Sequence, residues 1–129
     1  MSEKKILVVD DDSDFAYILS AHLKAHGYNV VGAPDAVLAV MAAQKERPDF
    51  IILDISMPAG DGFTVMERLA KSDYTALIPI AVVTGRMLSG KQRAMAEGAV
   101  AFFTKPVDFD RLLALIGDLL GQPVGTGLD

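Results

Sequence analysis

The sequence predicts an α/β fold in which a five-stranded parallel sheet carries helices on both faces. Three observations support this. Short β-rich runs alternate with helix-length segments from one end of the chain to the other. The strand runs are apolar almost throughout instead of alternating, as strands covered on both faces must be. The connections are short, so each strand returns to a parallel neighbour through a right-handed crossover made by a helix.

The first strand is Ile6 to Val9, and three aspartates follow it. The first helix places Phe15, Ile18, Leu19, His22 and Leu23 at i, i+3, i+4, i+7 and i+8, which predicts its inward face, with Asp12 or Ser13 as its cap and Gly27 as its stop. Tyr28 to Ala33 is the second strand. Pro34 introduces a second helix, Asp35 to Glu46, which ends before Pro48 and is apolar on more than one side through Val37, Leu38 and Met41. The third strand, Phe50 to Leu53, leads to a loop, Met57 to Gly62, rich in turn-forming residues, and then to a short helix from Phe63 to Lys71. Ile78 to Val83 is the fourth strand. The helix after it, Leu88 to Glu97, contains Gly90 and stops at Gly98, so it should be the weakest of the five. Val100 to Phe103 is the fifth strand. Asp108 then caps a helix whose inward stripe is Phe109, Leu112, Leu113, Ile116 and Leu120, closed by Gly121 and widened by Leu115 and Leu119.

A length of 129 residues is one domain's worth. The expected organisation is a single domain over residues 1–121, without a separate output domain, and a flexible Pro/Gly tail over 122–129. Hydrophobic residues make up 51% and the mean hydropathy is +0.33, which excludes a disordered chain. The absence of cysteine excludes a disulfide framework, a thiolate metal site and a Cys nucleophile, and it fits a reducing cytoplasm. A net charge of −5 has the wrong sign for direct binding to nucleic acid. The longest stretch without a charged residue, Tyr74 to Gly85, is 12 residues and contains Pro79, whereas a membrane span needs about 20. Four apolar residues before the first aspartates are too few for a signal-peptide core, so the expected location is cytoplasmic.

In open sheets of this kind, ligands sit beyond the carboxyl ends of the strands where the winding reverses. Four strands end there in polar groups: Asp10-Asp11-Asp12, Asp54, Thr84 and Lys105-Pro106. The second strand ends in Gly32-Ala33-Pro34 and offers no chemistry, which makes it the edge and predicts the strand order 2-1-3-4-5. Strands one and three are then neighbours, and Asp10, Asp11 and Asp54 converge. Three carboxylates in one cleft need a cation, and a divalent ion and the Lys105 ammonium are the candidates. An all-oxygen donor set on a shallow site favours Mg²⁺. The metal, Lys105 and the Thr84 hydroxyl suit the oxygens of a phosphoryl group, with ionised Asp54 as the nucleophile. Taken singly these residues have plainer readings. Asp10 to Asp12 can be a solvated turn with a helix cap, Lys105-Pro106 a turn before a helix, and Thr84 a strand terminus.

The segments Ile-Leu-Val-Val-Asp-Asp-Asp (6 to 12), Leu-Asp-Ile-Ser-Met-Pro-Ala-Gly-Asp-Gly (53 to 62), Val-Val-Thr-Gly (82 to 85) and Gly-Ala-Val-Ala-Phe-Phe-Thr-Lys-Pro (98 to 106) together resemble the receiver domain of two-component response regulators. The resemblance runs from about Lys4 to Leu120. It implies a flavodoxin-like (βα)5 three-layer sandwich with Asp54 as phosphoacceptor. It also implies Asp11, Asp54 and the Ser56 backbone carbonyl as direct Mg²⁺ ligands, Asp10 as a ligand through water, and Asp12 outside that shell. Thr84 and Lys105 would contact the phosphoryl group, Phe102 would be the switch aromatic, and the Lys105-Pro106 bond would be cis. The implied partners are a histidine kinase or histidine phosphotransfer protein upstream, and a downstream protein target or effector domain. A phosphorylation-dependent homodimer is a further candidate. The docking face would be the fourth helix, the fifth strand and the fifth helix. His22 and His26 are assigned no phosphoryl-carrier role, and catalysis is expected to be limited to the protein's own phosphorylation and dephosphorylation.

The sequence also departs from the family pattern. Gly85 stands where Ala is common, Phe102 replaces a frequent Tyr, and Ser56 and Arg86 occupy variable positions beside the site. Two enzyme classes on similar sheets fit worse. An aspartate-nucleophile phosphatase of the haloacid-dehalogenase type would show a second Asp where Ser56 stands. A flavin carrier would need a phosphate cradle where three carboxylates repel an anion.

Overall fold

The computed structural model describes residues 3–57, 62–85 and 90–121. Pro58 to Asp61, Arg86 to Ser89 and the tail from Gln122 to Asp129 lie outside the described residues. Strands and helices alternate in the predicted order. They are β1 (Lys5–Val9), α1 (Ser13–Ala25), β2 (Asn29–Ala33), α2 (Ala36–Glu46), β3 (Phe50–Leu53), α3 (Gly62–Ala70), β4 (Ile80–Thr84), α4 (Lys91–Ala96), β5 (Ala101–Thr104) and α5 (Phe109–Leu120). All strand pairs are parallel and the sheet order is β2-β1-β3-β4-β5, as the chemistry-poor end of the second strand implied.

Strand residues divide between two cores. Ile6 and Val8 of β1, with Ile52 and Val83, face α1 and α5 and meet Leu19, Leu23, Leu112 and Ile116. Leu7 and Val9, with Ile51, Leu53 and Val82, face α2, α3 and α4 and meet Ala39, Ala43, Val65, Leu69 and Ala94. Each fully buried aliphatic side chain contributes about 1.5–3 kcal/mol, so the sheet, apolar on both faces, carries most of the drive to fold. On α2 the fully buried side chains are alanines, while Val37, Leu38 and Met41 are exposed. Leu119 of α5 is exposed as well.

Helix starts follow the capping expectations. Asp12 accepts hydrogen bonds from the backbone N–H groups of Asp14 and Phe15, Asp35 from Leu38, and Asp108 from Arg111. Several boundaries differ from the sequence reading for local reasons. Ile78 still belongs to a turn, its N–H donating to the Thr75 carbonyl, so β4 begins only after Pro79. At its other end β4 includes Thr84, which pairs with Thr104 at the end of β5. The predicted inward face of α1 is also displaced. At about 100° per residue, Ile18 lies about 120° round the helix from the midpoint of Leu19 and Leu23, and it is 49% exposed. His22 is exposed too, and stacks flat on Phe109 at 4.1 Å between ring centroids. Phe15 packs against the core as predicted, and Ala16, not Ile18 or His22, joins it on the buried side.

The helix expected to be weakest is the shortest. α4 has six residues, its N-cap Gly90 makes no side-chain cap, and Glu97 lies beyond its end. Its neighbours hold it: the Arg93 guanidinium sits 4.0 Å from the Phe63 ring centroid of α3 and pairs with Glu67 and Glu97. At its start, a Cβ placed on Gly90 would come within 2.9 Å of Ile55 Cδ1.

Candidate functional site

Parallel register brings the acidic residues together. Val9 of β1 pairs with Leu53 of β3, and the Asp54 N–H donates to the Val9 carbonyl at 2.9 Å, so the next residue of each strand emerges side by side. Asp10 and Asp54 are buried, at 6% and 3% exposure, while Asp11 is exposed. One carboxylate oxygen from each of the three lies within 4.8 Å of the others. The Lys105 N–H donates to the Thr84 carbonyl across the β4–β5 ladder, which brings Lys105 to the same end of the sheet. Its ammonium donates to Asp10 Oδ2 at 2.8 Å and to Asp54 Oδ2 at 3.3 Å. The Lys105-Pro106 bond is cis, as expected.

Each carboxylate has its own set of hydrogen bonds. The Asp12 N–H donates to Asp10 Oδ1 at 2.9 Å. The Ser56 N–H and hydroxyl both donate to Asp54 Oδ1, at 2.8 and 2.6 Å, and the Thr84 hydroxyl at the end of β4 is fully buried. The two buried acids therefore titrate in opposite directions. Burial pushes the Asp10 carboxyl up, and the bonds from Lys105 and Asp12 offset only part of that, with the Asp54 charge adding to the rise. Burial pushes Asp54 up too, but bonds from Ser56 and Thr84 and the Lys105 charge outweigh it and hold Asp54 below the ordinary carboxylate range. Burial lowers Lys105, yet its bond to Asp10 and the charges of both acids leave it above the usual lysine value. The arrangement is an ionised, hydrogen-bonded acid beside a held ammonium.

The structure gathers Asp10, Asp11, Asp54, Ser56, Thr84 and Lys105 at one end of the sheet. Asp12 is spent on the helix cap. Phe102 stands apart from this cluster, half-buried on the edge strand β5 against the α2–α4 side of the core. Gly85 is exposed, and an added Cβ meets nothing within 4 Å among the described residues. Arg86, named beside the site, lies outside the described residues. Hard oxygen donors without a nitrogen or sulfur ligand fit Mg²⁺ or a similar ion. Sequence reasoning missed two contacts. The Ser56 hydroxyl bonds Asp54 directly, and the Phe15 ring lies under Lys105, 4.3 Å from Nζ to its centroid. The first was accessible from the i, i+2 spacing; the second joins α1 to the end of β5, and no local pattern encodes it.

The response regulator receiver domain model matches residues 6–117. The chain is 37% identical over 117 residues to protein PilH of Pseudomonas aeruginosa, covering 90% of this chain and 97% of PilH. It is 36% identical over 117 residues to the DNA-binding dual master transcriptional regulator RpaA of Synechocystis, covering 90% of this chain and 48% of RpaA, so it spans about half that relative's length. The crystal structure of the Vibrio cholerae chemotaxis protein CheY4 superimposes with a TM-score of 0.84 at 31% identity, covering 92% of this chain and all of that one. The sequence match begins in β1 and ends within α5, so it takes in every strand end on which the acidic site is built, and on that basis the chain belongs to the family of response regulator receiver domains.

Proposed function

We propose that this receiver domain accepts a phosphoryl group on Asp54 and converts the added charge into a change of surface. The observation that carries the reading is an acid only 3% exposed yet held ionised, with an ammonium 3.3 Å from its second oxygen. An Asp54 oxygen attacks phosphorus, a new O–P bond forms, and the bond from phosphorus to the donor breaks. With a phosphohistidine donor the imidazole nitrogen leaves and takes a proton; with acetyl phosphate, acetate leaves. Asp10, Asp11, Asp54 and the Ser56 carbonyl would hold Mg²⁺, which when bound offsets the negative charge of acids and donor alike. Thr84 and Lys105 supply a hydroxyl and an ammonium for the incoming oxygens.

The upstream partner is a histidine kinase or phosphotransfer protein, and the downstream one is a protein target or effector domain, met in the cytoplasm. The output face is formed by α4, β5 and α5, where Met95, Val100 and Leu119 are exposed and half-buried Phe102 would act as the switch aromatic. A phosphorylated second copy is one candidate for that face. Among the described residues no helix is long and apolar enough to cross a membrane. Beyond its own phosphorylation and dephosphorylation the domain catalyses nothing on this reading.

The test is intact mass after incubation with Mg²⁺ and acetyl phosphate. One acid-labile phosphoryl group per chain is expected, and none when a chelator removes the metal; turnover of many phosphomonoesters would indicate a phosphatase instead. Mg²⁺ alone should also raise stability, by about 2.7 kcal/mol at a hundredfold excess over its Kd, readable as a higher urea midpoint that a chelator reverses. An unmoved midpoint would remove the cation from the site.

A further inference from the structure

Lys105 is held on three sides, and only two of them are charged. Besides Asp10 and Asp54, its ammonium faces the Phe15 ring from 4.3 Å, and its side chain is only 19% exposed. That separation is within the range at which the negative face of an aromatic ring attracts a cation, and shielding from water strengthens the attraction. The ring is itself braced. Phe109 of α5 stacks on Phe15 at 6.5 Å with 22° between planes, and exposed His22 lies flat against Phe109 at 4.1 Å. Three rings on α1 and α5 thus connect to the cation of the site.

We propose that Phe15 is a positioning residue for phosphoryl transfer, its ring face keeping Lys105 Nζ at Asp54 as the charges around it change. This rests on the reading of Asp54 as acceptor. In the unmodified protein the two carboxylates alone would draw the ammonium in. Transfer turns the Asp54 carboxylate into an acyl phosphate, and cation binding draws on both acids, so the charged anchors of Lys105 weaken at the moment its position matters. The ring does not titrate, coordinate or react. It therefore restrains a flexible four-carbon stem through every stage, and meets the new phosphoryl oxygens with an ammonium already placed. A leucine would fill most of the same volume without the electron-rich face of the ring.

The experiment replaces Phe15 by a series of progressively fluorinated phenylalanines, which keep shape and burial while draining electron density from the ring face. The initial rate of phosphorylation by acetyl phosphate with Mg²⁺ should fall stepwise, by about fivefold at the trifluorinated ring. The same series in a Lys105→Met background should be flat, because the interacting cation is gone. In parallel, the Lys105 ε-CH2 protons should resonate upfield through the ring current in the parent, and return to ordinary positions in Phe15→Leu. A flat series in the parent, or Lys105 protons without a ring-current shift, overturns the inference while leaving the acceptor role intact. If the parent takes up no phosphoryl group at all, the acceptor reading falls, and the inference with it.

Discussion

Asp54→Asn takes up no phosphoryl group from acetyl phosphate under conditions that fully modify the parent, and its intact mass stays unchanged. The substitution is close to isosteric, so its effect is chemical. Oδ1 of the amide still accepts from the Ser56 N–H and hydroxyl, which hold that atom at 2.8 and 2.6 Å. The other position becomes an NH2 group facing the Lys105 ammonium across the 3.3 Å now spanned by an ion pair, and an amide nitrogen is no nucleophile. Lys105 retains Asp10, so folding survives, with stability changed by no more than about 2 kcal/mol at neutral pH. The pH dependence follows from direction. Asp54 is held below the ordinary carboxylate range, so its ionised form contributes stability that is present above that range and lost as pH falls through its native value. The gap between parent and variant should narrow on acidification, measured by urea titration at several pH values. Residual uptake of one phosphoryl group by the variant would move the acceptor elsewhere.

Gly62→Ala destabilises the fold by about 3 kcal/mol, at the upper end for overpacking, and slows phosphorylation with it. Alanine at a helix start would ordinarily gain up to about 1 kcal/mol over glycine. Here a Cβ would stand 2.7 Å from Ile55 Cα and 2.8 Å from the Asp54 carbonyl oxygen, and both are backbone atoms that cannot rotate away. α3 must withdraw or the backbone at Asp54 and Ile55 must move, and the second displaces the proposed acceptor. Gly32→Ala is the control: its Cβ meets nothing within 4 Å among the described residues, so it should change stability by less than about 0.5 kcal/mol. Urea midpoints and phosphorylation rates of the two variants decide the matter. A Gly62→Ala protein as stable as its parent would mean that α3 packs more loosely on the loop than these distances allow.

Most of the architecture was legible because its signals are local. Uniformly apolar strands, caps such as Asp35 and Asp108, and the stops at Gly27 and Gly121 each act within a few residues. The site was legible for a different reason: the parallel sheet converts strand ends into neighbours, so placing Asp10, Asp54, Thr84 and Lys105 required only the strand order. What escaped depends on rotation and on contacts between distant elements. The α1 pattern was matched to a period without fixing which side faced the sheet, and Ile18 fell outside. Phe15 read as one more core residue, because its partnership with Lys105 exists only once α1 is docked against the end of β5.

A helix of six residues cannot keep its own bearing in water, since isolated helices need about 12–15 to be even marginal. α4 therefore points where its contacts aim it, and its first turn starts at a position where an added Cβ would stand 2.9 Å from Ile55 Cδ1, so a larger residue at Gly90 would have to displace the side chain next to Asp54.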